Sequence, residues 1–499
     1  MKVIKRDGRI VDYDRSKIIK AIEKANNEVI EEKEKASKED IKTITNYIEK
    51  IDKKRILVED MQDIIEQKLM EIGKYELAKK YIVYRYTRAL VRKSNTTDET
   101  ILGLIRNQNR ANNLENKENL KASEQRNYIA GEVSKDLTKR LLLPEKITKA
   151  HTDGIIYFHG SEYFLQPIIN SCVTNVKDML YNGTIMNDVK IKEPQEFELA
   201  CNILTQIIAH VGSNVYGKQY VDLSCLGRFL RKSKENCIKE LKENFKSKLS
   251  EKEIEELSNK YASKKLSSGI EIIKHQLNTL NTTRGRKAEV VLYLDLNQEK
   301  EYLEENLKIK EELINQMPEE ISEEKYKFDG KFNQAIVTIN LPQIAIIADE
   351  NIEEFYKILD ERLELLKEAL MCSHYHLLGT ISDVSPILWQ NGGIARLSSG
   401  EKIDKLLYNK YSNLSLGYIG TNEMAELMIK NETIEEKNKF IINVIKNLKE
   451  TIEKWKKETN IGFVLDGHPP ENVGAIFAQN DKERYGTIEK VTDKGYYTN

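Results

Sequence analysis

Ala335-Ile336-Val337-Thr338-Ile339-Asn340-Leu341-Pro342-Gln343-Ile344-Ala345-Ile346-Ile347-Ala348 is an apolar run that reads as a buried strand, and helical periodicity over 352–377 follows it. Upstream, 290–296 (Val-Val-Leu-Tyr-Leu-Asp-Leu) is a second buried-strand candidate. Helical patterns surround both. One spans 194–210, and a charged amphipathic stretch over 226–265 reads as one or two long solvated helices. Residues 276–283 read as a polar strand or loop. Strands alternating with helices predict an α/β body. Periodicity leaves open whether it closes into a barrel.

The first two dozen residues have a different character. In Val3-Ile4-Lys5-Arg6-Asp7-Gly8-Arg9-Ile10-Val11-Asp12-Tyr13-Asp14, the Asp7-Gly8 pair supplies the positive φ that a two-residue hairpin turn needs. Asp14 is placed to cap a helix carrying Ile18, Ala21, Ile22 and Ala25 at helical spacing. Lys5, Arg6, Arg9 and Lys17 converge near that helix start, which suits a polyphosphate as well as a solvated basic turn. Ser37 with Asp40 opens a second helix bearing Ile41, Ile44, Ile48 and Ile51, and further helices from about Glu59 and Tyr75 complete a small bundle. The polar, asparagine-rich stretch 94–119 reads as a linker, so the predicted domains are 1–93 and 120–499.

At 499 residues the chain exceeds one ordinary core, and 40% hydrophobic residues suffice for globular folding. Charged residues balance to a net −1, so nothing in the composition points to nucleic acid or a membrane surface. No apolar run reaches the ~18 residues of a membrane helix, and the charged N-terminus is unlike a signal, so a cytoplasmic location is expected. The five cysteines form no Cys-x-x-Cys pair and fit reduced thiols.

Individual candidates for chemistry are weak in isolation. His151 and His159 lack a third ligand partner, which favours structural roles. Cys372, His374 and His376 fall on a predicted helix, where residues two apart face different directions and cannot share an ion. Gly392-Gly393 and Ser398-Ser399-Gly400-Glu401 read as turns. Cys172 lies in a loop-like setting after Pro167, and its local sequence fits a plain buried cysteine.

The order of motifs carries more. Val-x-Lys-Arg-Asp-Gly from Val3, followed by Asp14-x-x-Lys17-Ile18, then 58–62 and 75–81, resembles the ATP-cone domain. By that resemblance Val3, Lys5, Arg6 and Lys17 line an ATP or dATP effector site. Ser171-Cys172, 178–184, 275–280, Phe332-Asn333-Gln334 with Val337-Thr338-Ile339-Asn340-Leu341, 382–390, Ser415-Leu416-Gly417-Tyr418 and 491–499 are similar to the anaerobic ribonucleoside-triphosphate reductases of the glycyl-radical class. The resemblance covers nearly the whole chain in family order. It implies an ATP cone followed by a ten-stranded α/β barrel. In the family, a glycine radical generates a thiyl on a barrel-loop cysteine, which takes the ribose 3′ hydrogen while a second cysteine assists. Cys172 matches that second cysteine, and the same matching assigns Asn333 and Asn340 to the catalytic set. It further implies ribonucleoside triphosphates as substrates, formate or another reductant, a radical-SAM activating enzyme and a homodimer.

The sequence departs from the pattern in places. No cysteine lies between Cys237 and Cys372, where the thiyl-bearing loop is expected, and 465–471 differs from the family segment. After Asn499 a family member continues into a zinc tetrad and the radical glycine loop. The barrel is therefore expected to be incomplete, with no metal residues, and the isolated chain is expected not to turn over. The alternatives are a non-catalytic ATP/dATP-binding regulatory paralogue or partner subunit, and a truncated or decayed gene product.

Overall fold

The computed structural model describes residues 2–4, 10–51, 55–86, 101, 122–245, 248–317, 329–430, 432–467 and 471–499. Two compact units are present, Met1–Asn109 with Lys482–Gly486, and Arg110–Asp481 with Thr487–Asn499. The expected linker at 94–119 and the Asp7-Gly8 turn lie outside the described residues, apart from residue 101.

In the first unit, β1 (Lys2–Ile4) runs antiparallel to β2 (Ile10–Asp12) and parallel to β3 (Arg55–Leu57). Asp14 accepts from the Ser16 amide at 3.0 Å and caps the helix Arg15–Asn26, whose Ile18, Ile22 and Ala25 are buried. Ser37 and Asp40 form the expected capping box at the start of helix Lys38–Glu49. Helices Val58–Glu71 and 75–86 close the bundle around a core that includes Val3, Ile22, Ile48, Ile65 and Leu77.

The second unit has the α/β body expected from the alternation of strands and helices. Its strands are β4 (Ile156–Phe158), β5 (Ser171–Thr174), β6 (Thr184–Met186), β7 (Val189–Ile191), β8 (Gln219–Asp222), β9 (Val290–Tyr293), β10 (Phe332–Asn340), β11 (Ser412–Ile419) and β12 (Gly462–Asp466). β6 and β7 form a small hairpin of their own. The others make a seven-stranded sheet in the order β12-β11-β10-β5-β8-β9, with β4 also paired to β10. β9, β8 and β5 are mutually parallel, as are β10, β11 and β12, and the two sets meet antiparallel at β5–β10. The family's count of ten is not reached among the described strands.

Two hydrophobic clusters cover this sheet. One packs helices Phe197–Gly212, Gly227–Phe245 and Glu251–Thr279 with β5, β8 and β9. The other packs helices Leu341–Ala348, Ile352–Leu377 and Ile434–Thr459 with β10, β11 and β12. All nine residues of β10 are buried, as a central strand covered on both faces requires.

Three sequence expectations are corrected. The run 335–348 is not one strand: β10 ends at Asn340, and a helix begins at Leu341. The Asn340 side chain accepts from the Gln343 amide as an N-cap, and Pro342, lacking an N–H, is tolerated in the first turn. Residues 276–279 close the helix Glu251–Thr279 instead of forming a strand or loop; the Ser250–Glu253 capping box starts that helix, and Thr279 bonds back to the His275 carbonyl. Cys172 lies on strand β5, not in a loop.

Candidate active site

The meeting of β5 with β10 places Cys172 across from Phe332, and Ser171 across from Asn333. On its other side β5 pairs Cys172 with Gln219 of β8. Cys172 is 2% exposed, and its Sγ lies 3.6 Å from Thr174 Oγ1. Thr174 donates its own proton to Gln219 Oε1 at 3.3 Å, so the cysteine is the donor in its contact with Thr174. Gln219 Nε2 in turn donates to the Ile208 carbonyl. Burial pushes the Cys172 thiol up to about 12. At neutral pH the sulfur keeps its hydrogen, which unfits it as a nucleophile and preserves an S–H bond.

Asn333, 8% exposed, stands at the head of β10 where the pairing with β11 carries a bulge between Asn333 and Ala335. Its Nδ2 donates to Asn413 Oδ1 at 2.5 Å and to Ser415 Oγ at 2.7 Å, and its Oδ1 accepts from Asn170 Nδ2 at 2.9 Å. A row of polar side chains therefore runs across β11, β10 and the residue preceding β5. Asn170 is held against Gly217, where a Cβ would come within 2.5 Å of its Oδ1. The sequence carries a signal for the β11 members: in Asn413-Leu414-Ser415-Leu416, Leu414 and Leu416 enter the core while the alternate positions are polar. Nothing local in the sequence marks Asn170 as their neighbour.

Asn340 is not brought to this group. It lies at the far end of β10, seven residues and about 23 Å of strand from Asn333. Its Nδ2 donates to the Gly154 carbonyl at 2.9 Å and to Asp481 Oδ2 at 2.8 Å. Asp481 also accepts from Gln343 Nε2 and the Tyr497 hydroxyl. Burial raises the Asp481 carboxyl above its ordinary range, against the lowering effect of these bonds.

A second titratable group occupies the ends of β8 and β9. Asp222 accepts from the amides of Ser224 and Asp295, Glu299 pairs with Lys177, and Asp329 precedes β10. Burial raises Asp329 to about 6, with Asp222 adding and Lys177 opposing. Among the described residues no three His, Cys, Asp or Glu side chains converge as a metal-ligand set. His159 bonds Thr338 Oγ1, and His151 Nδ1 accepts from the Phe158 amide, so both rings have structural partners.

In the first unit Val3 is buried and faces Val11 and Ile56 in register, whereas Lys17 is largely exposed with its Nζ 3.6 Å from Asp14. Lys5 and Arg6 lie outside the described residues.

The sequence matches the family described as anaerobic ribonucleoside-triphosphate reductase over residues 113–328 and 320–499. The chain belongs to that family. Residues 1–90 match the ATP cone domain, so this reductase carries the nucleotide-sensing module at its start. Among its relatives, the anaerobic ribonucleoside-triphosphate reductase of Haemophilus influenzae is 28% identical, with 100% of this chain and 81% of the relative aligned. That of Escherichia coli is 26% identical over 89% of this chain and 73% of the relative. The fold is similar to the anaerobic ribonucleotide reductase from Thermotoga maritima in complex with dATP and CTP, with a TM-score of 0.58, 15% identity, and 81% and 80% of the two chains covered. The match across both units supports the oxidoreductase reading over that of a non-catalytic paralogue. Among the described residues no helix of the reductase is long and apolar enough to cross a membrane.

Proposed function

We propose that the reductase unit takes a ribonucleoside triphosphate over the β5–β10 junction, with Cys172 as the assisting thiol and Asn333 contacting the ribose. The observation that carries this reading is the register of β5 on β10, which brings two residues far apart in sequence to neighbouring positions. A thiol held protonated by burial can give up a hydrogen, which suits reduction better than nucleophilic attack. Asn340, which caps a helix and bonds a buried carboxylate, is assigned a structural role instead.

The cone is proposed to take ATP or dATP as effector through Val3, Lys5, Arg6 and Lys17. Lys17 fits this assignment in being exposed beside a helix N-terminus. Formate or a comparable reductant, a radical-SAM activating enzyme, a second copy of the chain and a cytoplasmic location belong to the same proposal, resting on family membership alone.

The residues described do not fit zinc, since no ligand set converges, and no step is assigned to that metal. Nor is a thiyl cysteine assigned, because 238–371 contains no cysteine. The isolated chain is accordingly proposed to bind nucleotide without turning over. Calorimetry of the full chain with CTP is expected to give saturable binding that Asn333→Ala weakens; absence of CTP binding overturns the substrate reading. A glycyl-radical signal from this chain after anaerobic activation overturns the proposal that it cannot turn over alone.

A further inference from the structure

The Asn333 carboxamide has two N–H groups and one carbonyl oxygen to offer. Both N–H groups are consumed within the protein, one by Asn413 Oδ1 at 2.5 Å and one by Ser415 Oγ at 2.7 Å. Its oxygen takes a single bond, from Asn170 Nδ2 at 2.9 Å, and keeps one acceptor position. The side chain thus has nothing left to donate and can only accept. A phosphate oxygen, itself an acceptor, finds no partner here. A hydroxyl does.

We infer that Asn413 and Ser415 are positioning residues that turn Asn333 into a dedicated acceptor for a ribose hydroxyl of the nucleotide, with Asn170 setting the other side of the amide. This rests on the reading that the β5–β10 junction holds the substrate. The four side chains come from β10, β11 and the residue before β5, so the amide is clamped from both sides. Asn170 and Asn413 are only half-buried, so the row borders accessible space. Gly217 belongs to the device: its amide donates to the Asn170 carbonyl at 2.7 Å, and any Cβ there would collide with Asn170 Oδ1. The competing explanation, that the row merely fastens three segments together, predicts the same loss of stability on mutation but no change in which sugar is preferred.

The test compares CTP with 2′,3′-dideoxy-CTP for binding to the full chain, using the ratio of the two affinities as readout. Wild type is expected to favour CTP by about tenfold, the scale of one or two hydrogen bonds. Asn413→Leu and Ser415→Ala are expected to bring the ratio towards one by weakening CTP while leaving the dideoxy analogue unchanged. Asn413→Asp accepts only, preserves the polarity of the row, and is expected to keep the wild-type ratio. Gly217→Ala is expected to lower the ratio without removing any hydrogen-bonding group. If Asn413→Leu does not fold, Ser415→Ala and Asn413→Asp decide. A wild-type chain that binds both nucleotides equally, or variants that bind CTP more weakly at an unchanged ratio, overturn the inference while the substrate reading stands. A chain that binds neither nucleotide overturns the substrate reading and the inference with it.

Discussion

The two ends of β10 carry the same residue type, 8% exposed at Asn333 and 0% at Asn340, and they serve different ends. At Asn340 the carboxamide caps a helix, bonds the Gly154 carbonyl and helps satisfy the buried Asp481 carboxylate, so every bond it makes is internal to the fold. At Asn333 the carboxamide makes the same number of bonds, two donated and one accepted, but two of them go to the half-buried Asn170 and Asn413, so its spare acceptor position borders accessible space. A spare acceptor sealed in the core serves stability, whereas one bordering accessible space is a place for a ligand.

The largest expected effect tests the Asn340 end. Asn340→Ala removes an N-cap and two donors and leaves Asp481 short of a partner, so it is expected to cost about 3 kcal/mol, read from urea unfolding of the reductase unit. Asn333→Ala is expected to cost only about 1 kcal/mol while reducing CTP affinity about tenfold. Equal losses of stability at the two positions would break the comparison.

Asp329, at the entry to β10, sharpens it through pH. Its folded value of about 6 lies above the ordinary 3.8, so the folded chain holds this proton more tightly than the unfolded one. Its contribution to stability is therefore full below the ordinary value and is lost as pH rises through about 6. Asp329→Asn is expected to abolish that decline and to raise stability at neutral pH by about 1–2 kcal/mol, checked by unfolding midpoints across the acidic range. An unchanged slope would show that burial at this entry is weaker than its surroundings indicate. The smallest effect is kinetic: Cys172, buried and protonated, is expected to resist iodoacetamide at mildly alkaline pH until the chain unfolds, while the less buried Cys237 and Cys372 react first by mass spectrometry. Rapid native labelling of Cys172 would contradict the closed packing of β5 on β10.

Much of the fold was legible because local patterns are strong here. The helix caps at Asp14 and Ser37 and the helix over 352–377 follow from side chains near in sequence. The run 335–348 was misread because both its strand and its helix are buried and apolar, and an apolar stretch without polar alternation carries no period. Pro342, with Asn340 placed to cap, was the available signal for the break.

The candidate site was legible only in part. Cys172 and Asn333 came from resemblance, but so did Asn340, and sequence order could not tell a substrate contact from a helix cap. Asn413 could have been suspected from the alternation in β11, whereas Asn170 could not, because its role depends on how β5 meets β10.

The sequence alone determined the ordering of an ATP cone before an α/β reductase unit, the helix caps and the set of residues matching the family, since these depend on near neighbours or on motif order. Tertiary structure decided which asparagine borders accessible space and which is sealed in the core, and that the Cys172 thiol is held protonated. Exposure and desolvation are properties of what surrounds a group, and those surroundings are assembled from segments more than a hundred residues apart.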